Sequence, residues 1–186
     1  EEVPETQESE KVMTDMIDQG AKIIFANSFG FQDYMEKVAK ANPDVTFMHC
    51  SGSIQGENYS NYFGSIEEPR YLSGIVAGMK TQSDKIGYVA AYNIPEVIRG
   101  INAFTLGVRS VNPDAVVKVV WTMTWYDPAK EKDAAISLLD QGCDVIAQHQ
   151  DTTGPQVAAE ERGAWSVGYN ADMSEAAPKA YMTAPL

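Results

Sequence analysis

The chain has 186 residues, of which 44% are hydrophobic and 22% are charged, and this composition is typical of a globular protein that can bury a core. Its formal net charge is −12, with 26 acidic residues against 14 Lys and Arg. So acidic a balance argues against non-specific nucleic-acid binding, which needs a basic surface. No stretch is long and apolar enough to predict a transmembrane helix.

Helices and strands alternate along the first part of the sequence. A helix is predicted over residues 7–19, because Val12, Met13, Met16 and Ile17 fall on one face and Gly20 can end it. The following elements are a strand at 21–28, a helix at 31–41, a strand at 45–50, a Gly/Ser loop at 51–58, a strand at 59–66 and a helix at 67–80.

The same alternation continues to the end of the chain. It comprises a strand at 85–92, a helix from Pro95 to Val111, a strand at 116–124, a helix at 128–141, a strand within 143–150, a short helix at 155–163 and a strand at 165–170. Strands that are continuously apolar and alternate with amphipathic helices indicate an α/β fold, with parallel sheets covered by helices on both faces.

One segment of the sequence resembles another. "DQGAKIIFANS" at 18–28 is similar to "DQGCDVIAQHQ" at 140–150, and this alignment places Asn27 opposite His149. Two related lobes, each built on its own sheet, would explain the similarity. The alternative is that helix-to-strand joints in any sheet of this kind look alike, and the sequence leaves both explanations open.

Polar and aromatic residues follow the predicted strands. Ligands of open parallel sheets bind beyond the carboxyl ends of the strands, so these residues predict a ligand site. Amides, carboxylates and aromatic rings suit a flat, neutral, polar ligand, whereas phosphate binding would call for a glycine-rich loop or cations. The candidate ligand-binding residues are Asn27, Ser28, Phe29, Tyr92, Asn93, Trp125, His149, Asp151, Asn170 and Asp172.

Each candidate also has a structural explanation. Asp127 and Asp151 are suited to helix capping, Asn170 and Asp172 to turns, and His149 to a buried structural role. No GxSxG motif is present, and the two histidines and two cysteines fit no zinc spacing. We therefore expect a binding protein with no catalytic residue, no metal and no cofactor.

Four segments resemble one family. They are "YFGSIEEPRYLSGIVAGMKT", "KIGYVAAYNIPEVIRGINAFTLGVRSVNP", "TWYDPAKEKDAAISLLDQGCDVIAQHQD" and "GYNADMSEAAPKAYMTAP". Together they closely resemble the basic membrane protein (Med/PnrA-like) family of substrate-binding lipoproteins of ABC transporters, over essentially the whole chain.

The resemblance implies a type I periplasmic-binding-protein fold with two doubly wound parallel-sheet lobes. Residues 1–65 would form part of the first lobe, 66–178 the second lobe, and 179–186 the start of a segment that returns to the first. It also implies an extracytoplasmic protein in which the lobes close over a purine nucleoside or nucleobase and deliver it to an ABC permease.

The resemblance also assigns roles to candidate residues. Trp125 would stack on the ligand, and Asn170 or Asp172 would bind a polar edge or a ribose hydroxyl. Asn27, Ser28 and Phe29 would be the contribution of the first lobe. The sequence departs from related "TWYDP" segments at Met123, where Asn is frequent. An effector-sensing domain of a regulator is the alternative function, followed by a nucleoside-processing enzyme.

Family members begin with a strand and a Gly-rich loop, preceded by a lipidated cysteine, and end with a segment that returns to the first lobe. The chain begins with Glu1 rather than Met, and neither family segment is recognisable in it. We therefore expect a chain truncated at both ends, with an incomplete first lobe, apolar sheet edges left exposed and the membrane anchor lying outside this sequence.

Overall fold

The structure, a computed structural model, describes residues 3–186. The chain divides into two compact units, with the break between Gly64 and Ser65. The helices are α1 (Glu8–Asp18), α2 (Gln32–Ala41), α3 (Glu67–Lys80), α4 (Pro95–Val111), α5 (Pro128–Asp140) and α6 (Gly154–Glu161). The strands are β1 (Ile23–Asn27), β2 (Thr46–Cys50), β3 (Tyr59–Tyr62), β4 (Lys85–Ala90), β5 (Val116–Trp121), β6 (Val145–His149), β7 (Trp165–Val167) and β8 (Tyr181–Thr183).

The first unit contains a parallel three-stranded sheet in the order β1-β2-β3. Its core joins α1 and α2 to one face of this sheet, through side chains such as Met13, Ile24, Met35 and Phe47. Residues in β1 alternate between buried and exposed, and Phe25, on the exposed face, is 63% exposed. The sequence predicts a strand buried on both faces. The structure differs from this prediction, because no described residues cover the second apolar face of β1.

The second unit is built on a parallel five-stranded sheet in the order β5-β4-β6-β7-β8. Helices α3 and α4 pack on one face with Ile86 and Tyr88, while α5 and α6 pack on the other with Val89 and Ile146. The predicted α/β class with parallel sheets is confirmed. Strand β8 was not predicted, and it lies within residues 179–186. The lobe boundaries drawn from the family resemblance stay predictions.

Several strands are shorter than the sequence predicts. The strand expected at 116–124 ends at Trp121, because Met123 adopts a positive φ of 56° that a strand cannot contain. The last predicted strand, 165–170, likewise ends at Val167 before Asn170, whose φ is 53°. Across residues 3–186, none of the helices combines the length and the apolarity needed to cross a bilayer.

Helices α3 and α4 approach each other closely at glycines. A Cβ atom on Gly74 would overlap the carbonyl oxygen of Phe104, and one on Gly107 would overlap the carbonyl oxygen of Tyr71. Because both obstacles are backbone atoms, no side-chain rotation can relieve the overlap. The helix pair can therefore keep this separation only with glycine at these positions.

We expect Gly107→Ala to destabilise the protein. A methyl group at this position must push α3 and α4 apart, and overpacking of this kind costs about 1–3 kcal/mol. Differential scanning calorimetry should show a lower Tm. Gly64→Ala is the control, because nothing lies within 4 Å of an added Cβ there. Equal Tm values for the two variants would contradict the packing argument.

Candidate functional site

The carboxyl ends of the central strands bring aromatic residues together. Ala90, at the end of β4, is paired with Trp121 of β5 and with His149 of β6. The residues that follow these ends are therefore neighbours. Ring centroids lie 5.2 Å apart for Tyr92 and Trp125, 6.1 Å for Trp125 and His149, and 4.2 Å for His149 and Tyr169. We call Tyr92, Trp125, His149 and Tyr169 the aromatic wall.

His149 is the most enclosed member of the aromatic wall, with no exposed surface. Its Nε2 atom lies 3.3 Å from a carboxylate oxygen of Glu96. Burial lowers the pKa of His149 to about 4, although Glu96 opposes the shift. The imidazole is therefore neutral at physiological pH. Its side chain is inaccessible in this conformation, and its role in ligand binding stays a prediction.

Arg70, on α3, lies behind the aromatic wall and is fully buried. Its Nη1 donates a hydrogen bond to the carbonyl oxygen of Gln148 at 2.7 Å. Its guanidinium carbon lies 4.3 Å from the ring centroid of Tyr169 and 5.7 Å from that of Tyr88, within the range of cation–π attraction.

Sequence reasoning missed Arg70, although a signal was present. Arg70 lies on the helix face that also carries Ser73, Gly74, Ala77 and Gly78, a run of small residues at spacings of three and four. Small residues on one face of a helix indicate close packing against a neighbour. That spacing places the arginine on the buried side of α3.

The polar residues at the end of β6 and just after it mainly hold their own loop. The side-chain amide of Gln148 donates to the carbonyl oxygens of Gln150 and Thr152, each at 2.9 Å. The buried carboxylate of Glu131 accepts from the Thr152 hydroxyl at 2.5 Å and from the backbone N–H of Asp127 at 2.9 Å. Asp127 in turn caps α5, as the structural alternative predicted.

Asp151 is the member of this loop that lies beside the aromatic wall at the surface. Its backbone N–H donates to the carbonyl oxygen of Trp125 at 3.2 Å. Although the residue as a whole is exposed, desolvation of the carboxyl group and the charges of Glu131 and Glu96 raise the pKa of Asp151 to about 6. A carboxyl group with this pKa can act as a hydrogen-bond acceptor when ionised and also as a donor when protonated.

The loop after β7 carries two further candidates. Asn170 is exposed, and its backbone N–H donates to the carbonyl oxygen of Pro185 at 3.0 Å. The carboxylate of Asp172 accepts from the backbone N–H of Ser174 at 2.9 Å, which lowers the pKa of Asp172. Asn170 lies in a bend with a left-handed φ of 53°, and Asp172 bonds the backbone two residues ahead, so both have the local roles that the structural alternative predicted. Asn93, which follows β4, is exposed.

The remaining candidates lie in the first unit. Asn27 accepts a hydrogen bond from the Tyr62 hydroxyl at 2.7 Å. The hydroxyl of Ser28 donates to the carboxylate of Glu5, a partner that the sequence did not indicate. Phe29 begins a short 3-10 helix and is half-buried. Asn27 and Ser28 also line an apolar cavity of about 770 Å³ next to α1.

Left-handed backbone conformations recur just after strands. Ser51, Met123 and Asn170 follow β2, β5 and β7 and have φ values of 73°, 56° and 53°. Non-glycine residues with positive φ are strained and tend to occur at functional sites. Met123 is the least suited of the three, because Ser and Asn side chains are shorter and more polar. Its side chain is also 58% exposed.

Comparison with known proteins identifies relatives along the whole chain. A family described as "ABC transporter substrate-binding protein PnrA-like" matches residues 1–185. A protein of Haloferax volcanii named "Putative ABC transporter glucose-binding protein TsgA13" is 46% identical over 179 residues, covering 96% of this chain and 46% of that protein. A protein of Brucella abortus named a purine-binding protein is 42% identical over 184 residues, covering 99% of this chain and 53% of that protein.

Solved structures confirm the fold that the resemblance implied. An ABC transporter solute-binding protein from Aeropyrum pernix superposes with a TM-score of 0.81 at 24% identity. The alignment covers 97% of this chain and 55% of that one. The fold is therefore of the type I periplasmic-binding-protein class, and the chain spans about half the length of the curated relatives that it matches.

We expect Met123→Asn to stabilise the protein. Asn tolerates the left-handed region, so the substitution should recover about 1 kcal/mol of backbone strain. The control is Met79→Asn, which changes the same side chain at an exposed position of α3 where the backbone is helical. There the lower helix propensity of Asn should reduce stability slightly. Urea unfolding curves should thus shift in opposite directions, and a common shift would contradict the strain.

Asp151→Asn should change the pH dependence of stability. The folded-state pKa of about 6 lies above the ordinary aspartate pKa of 3.8, so the folded protein favours the protonated carboxyl group. Its stabilising contribution is present at low pH and is lost as pH rises through about 6. Asn mimics the neutral form, so Asp151→Asn should raise Tm at neutral pH, and the gain should vanish toward pH 4.

The matched control for this pH profile is Asp172→Asn. The pKa of Asp172 is lowered because its carboxylate accepts a backbone hydrogen bond. Its contribution is therefore present at neutral pH and is lost on acidification, and removing the charge should lower Tm at neutral pH or leave it unchanged. A pH-independent Tm difference for Asp151→Asn would contradict the raised pKa.

Proposed function

The chain belongs to the PnrA-like family of ABC transporter substrate-binding proteins, and on that premise we propose that the protein reversibly binds a purine nucleoside or nucleobase for uptake. The partner would be an ABC permease, and binding would take place outside the cytoplasm, with a lipid anchor holding the full-length protein at the membrane. The proposal includes no chemical conversion of the ligand.

The aromatic wall is the observation that carries the proposal. Trp125 is only half-buried, and Tyr92 and His149 support its ring from the side. A flat heterocycle can stack on an indole held in this way, and stacking of a base on an aromatic side chain contributes about 1–3 kcal/mol. The wall therefore suits a planar ring, which every purine ligand has.

The charges near the wall favour a neutral ligand over a nucleotide. Asp151 and Asp172 are exposed acidic groups at the same edge of the sheet, whereas the guanidinium of Arg70 is fully buried. A phosphate would meet these carboxylates and could not reach Arg70, and Lys132, which lines a pocket together with Asp151, is already paired with Glu161 at 2.8 Å. Ring N–H groups and ribose hydroxyls can instead donate hydrogen bonds to carboxylates. These contacts support a base or nucleoside, with Asp151, Asn170 and Asp172 as the proposed polar contacts.

A sugar is the second candidate ligand. The Brucella relative is named purine-binding, whereas the Haloferax relative, which is slightly more similar, is named a putative glucose-binding protein. Sugars also pack an apolar face on tryptophan and donate hydroxyl hydrogen bonds to carboxylates. We favour a purine because its stacking uses the full area of an aromatic ring, and direct binding measurements can separate the two.

Isothermal titration with adenine, adenosine, guanosine and inosine should give saturable binding, while glucose, ribose and leucine should give none. Trp125→Ala should weaken the purine Kd by about 10-fold or more, in line with the loss of one stacked ring. Trp165→Ala is the matched control, because Trp165 is also half-buried but begins β7, at the opposite edge of the sheet.

Glucose binding without purine binding would replace the proposal with the sugar alternative. If liquid chromatography shows that the protein converts adenosine into a product, that result would contradict a purely binding role. An equal loss of affinity in the Trp125→Ala and Trp165→Ala variants would show that the aromatic wall is not the ligand contact. The full-length Brucella relative is a suitable reference for the same set of solutes.

A further inference from the structure

Three buried polar atoms meet next to Gly100, on the inner face of α4. They are Nε of Arg70, the hydroxyl oxygen of Tyr88 and Nδ1 of His149, and none has a hydrogen-bond partner among residues 3–186. All three side chains have no exposed surface. Buried polar atoms without partners are rare because their desolvation is not compensated, so a cluster of three calls for an explanation.

Glycine at position 100 places no side chain between α4 and these three polar atoms. The position of a Cβ on Gly100 would be 3.6 Å from Arg70 Nε, 3.6 Å from His149 Nδ1 and 3.7 Å from the Tyr88 hydroxyl. These are its three nearest neighbours, and they are ordinary contact distances. A methyl group bonded to the Gly100 Cα would therefore fit without displacing any atom, and the three atoms nearest to it are all polar.

The donors and acceptors of this pocket select one kind of ligand. Arg70 Nε carries a hydrogen and can only donate. Nε2 of His149 lies 3.3 Å from the Glu96 carboxylate, although the two are not aligned as a hydrogen bond. The nearby carboxylate favours the hydrogen on Nε2, which leaves a lone pair on Nδ1. The Tyr88 hydroxyl can donate or accept. The ligand must therefore both accept and donate hydrogen bonds, which a chloride ion or another bare anion cannot do.

We propose that a single water molecule is bound between Arg70, Tyr88 and His149 in the space that Gly100 leaves open. The water accepts from Arg70 Nε, donates to His149 Nδ1 and completes its bonding with the Tyr88 hydroxyl. Buried waters usually make two to four hydrogen bonds of this kind to polar groups that the protein leaves unsatisfied. The site joins α3, β4 and β6 at the point where α4 crosses them.

This water would also support the aromatic wall. Arg70 stacks on Tyr169 at 4.3 Å, and the His149 ring lies 4.2 Å from the Tyr169 ring. A water that fixes both Arg70 and His149 therefore fixes two of the surfaces against which Tyr169 packs. The water site itself does not depend on the identity of the ligand, so it can be tested whether or not the proposed function is correct.

The direction of the Tm change in Gly100→Ala tests whether the water is present. The methyl group fits the space, and alanine is preferred to glycine inside a helix, so a dry pocket predicts a higher Tm. If the water is present, the methyl group displaces it and leaves three polar atoms without partners. We then expect Tm to fall by about 2–4 °C. Asn102→Ala, at an exposed position of α4, reports the effect of helix propensity alone.

A second variant tests whether a lower Tm in Gly100→Ala has a cause unrelated to the water. Tyr88→Phe removes one of the three polar atoms and keeps the ring. In the Gly100→Ala background it should therefore lower Tm less than it does in the wild-type background. A crystal structure at about 1.5 Å should show the water within hydrogen-bond distance of Arg70 and His149. A dry or anion-filled pocket, or a Tm that rises in Gly100→Ala as in Asn102→Ala, would overturn the proposal.

Discussion

Arg70 places a full positive charge where no part of its side chain is exposed, and the second unit is arranged around it. Removing a charge from water is costly unless the surroundings replace the lost hydration. The replacement comes from the Gln148 carbonyl oxygen at 2.7 Å and from the ring faces of Tyr169 and Tyr88. Gln148 immediately precedes His149, and Tyr169 follows β7. The aromatic wall is thus held from behind by the groups that make this burial possible.

The arginine reaches this depth because α3 and α4 lie close together. The glycines at positions 74 and 107 let each helix approach the backbone of the other, and Gly100 leaves a small polar space beside the guanidinium. With larger residues at positions 74 and 107 the two helices would have to separate, and α3 would carry Arg70 with it. The close packing of α3 and α4, the burial of Arg70 and the position of the aromatic wall therefore depend on one another.

The result is a surface with aromatic rings, amides and carboxylates in front and the cation behind. His149 is neutral because burial lowers its pKa, and Asp151 keeps a raised pKa beside Trp125. An anionic ligand would meet the carboxylates of Asp151 and Asp172 here, and Lys132, which lines a pocket together with Asp151, is already paired with Glu161 at 2.8 Å. Under the proposed function, a neutral ring with N–H or O–H donors would find both a stacking surface and acceptors. The chemistry of the wall thus narrows the ligand class more than the fold does, since one fold can carry many different sites.

The sequence by itself determined the alternation of helices and strands, the parallel sheets and the family, because continuously apolar strands joined by amphipathic helices have few other ways to bury their surface. It also indicated Tyr92 and Trp125, because strand ends can be read locally. Only the tertiary structure decided that Arg70 and His149 are fully buried and that Glu5 accepts a hydrogen bond from Ser28. Arg70 and its acceptor, Gln148, are 78 positions apart, and burial depends on which distant segments pack together, which no local pattern encodes.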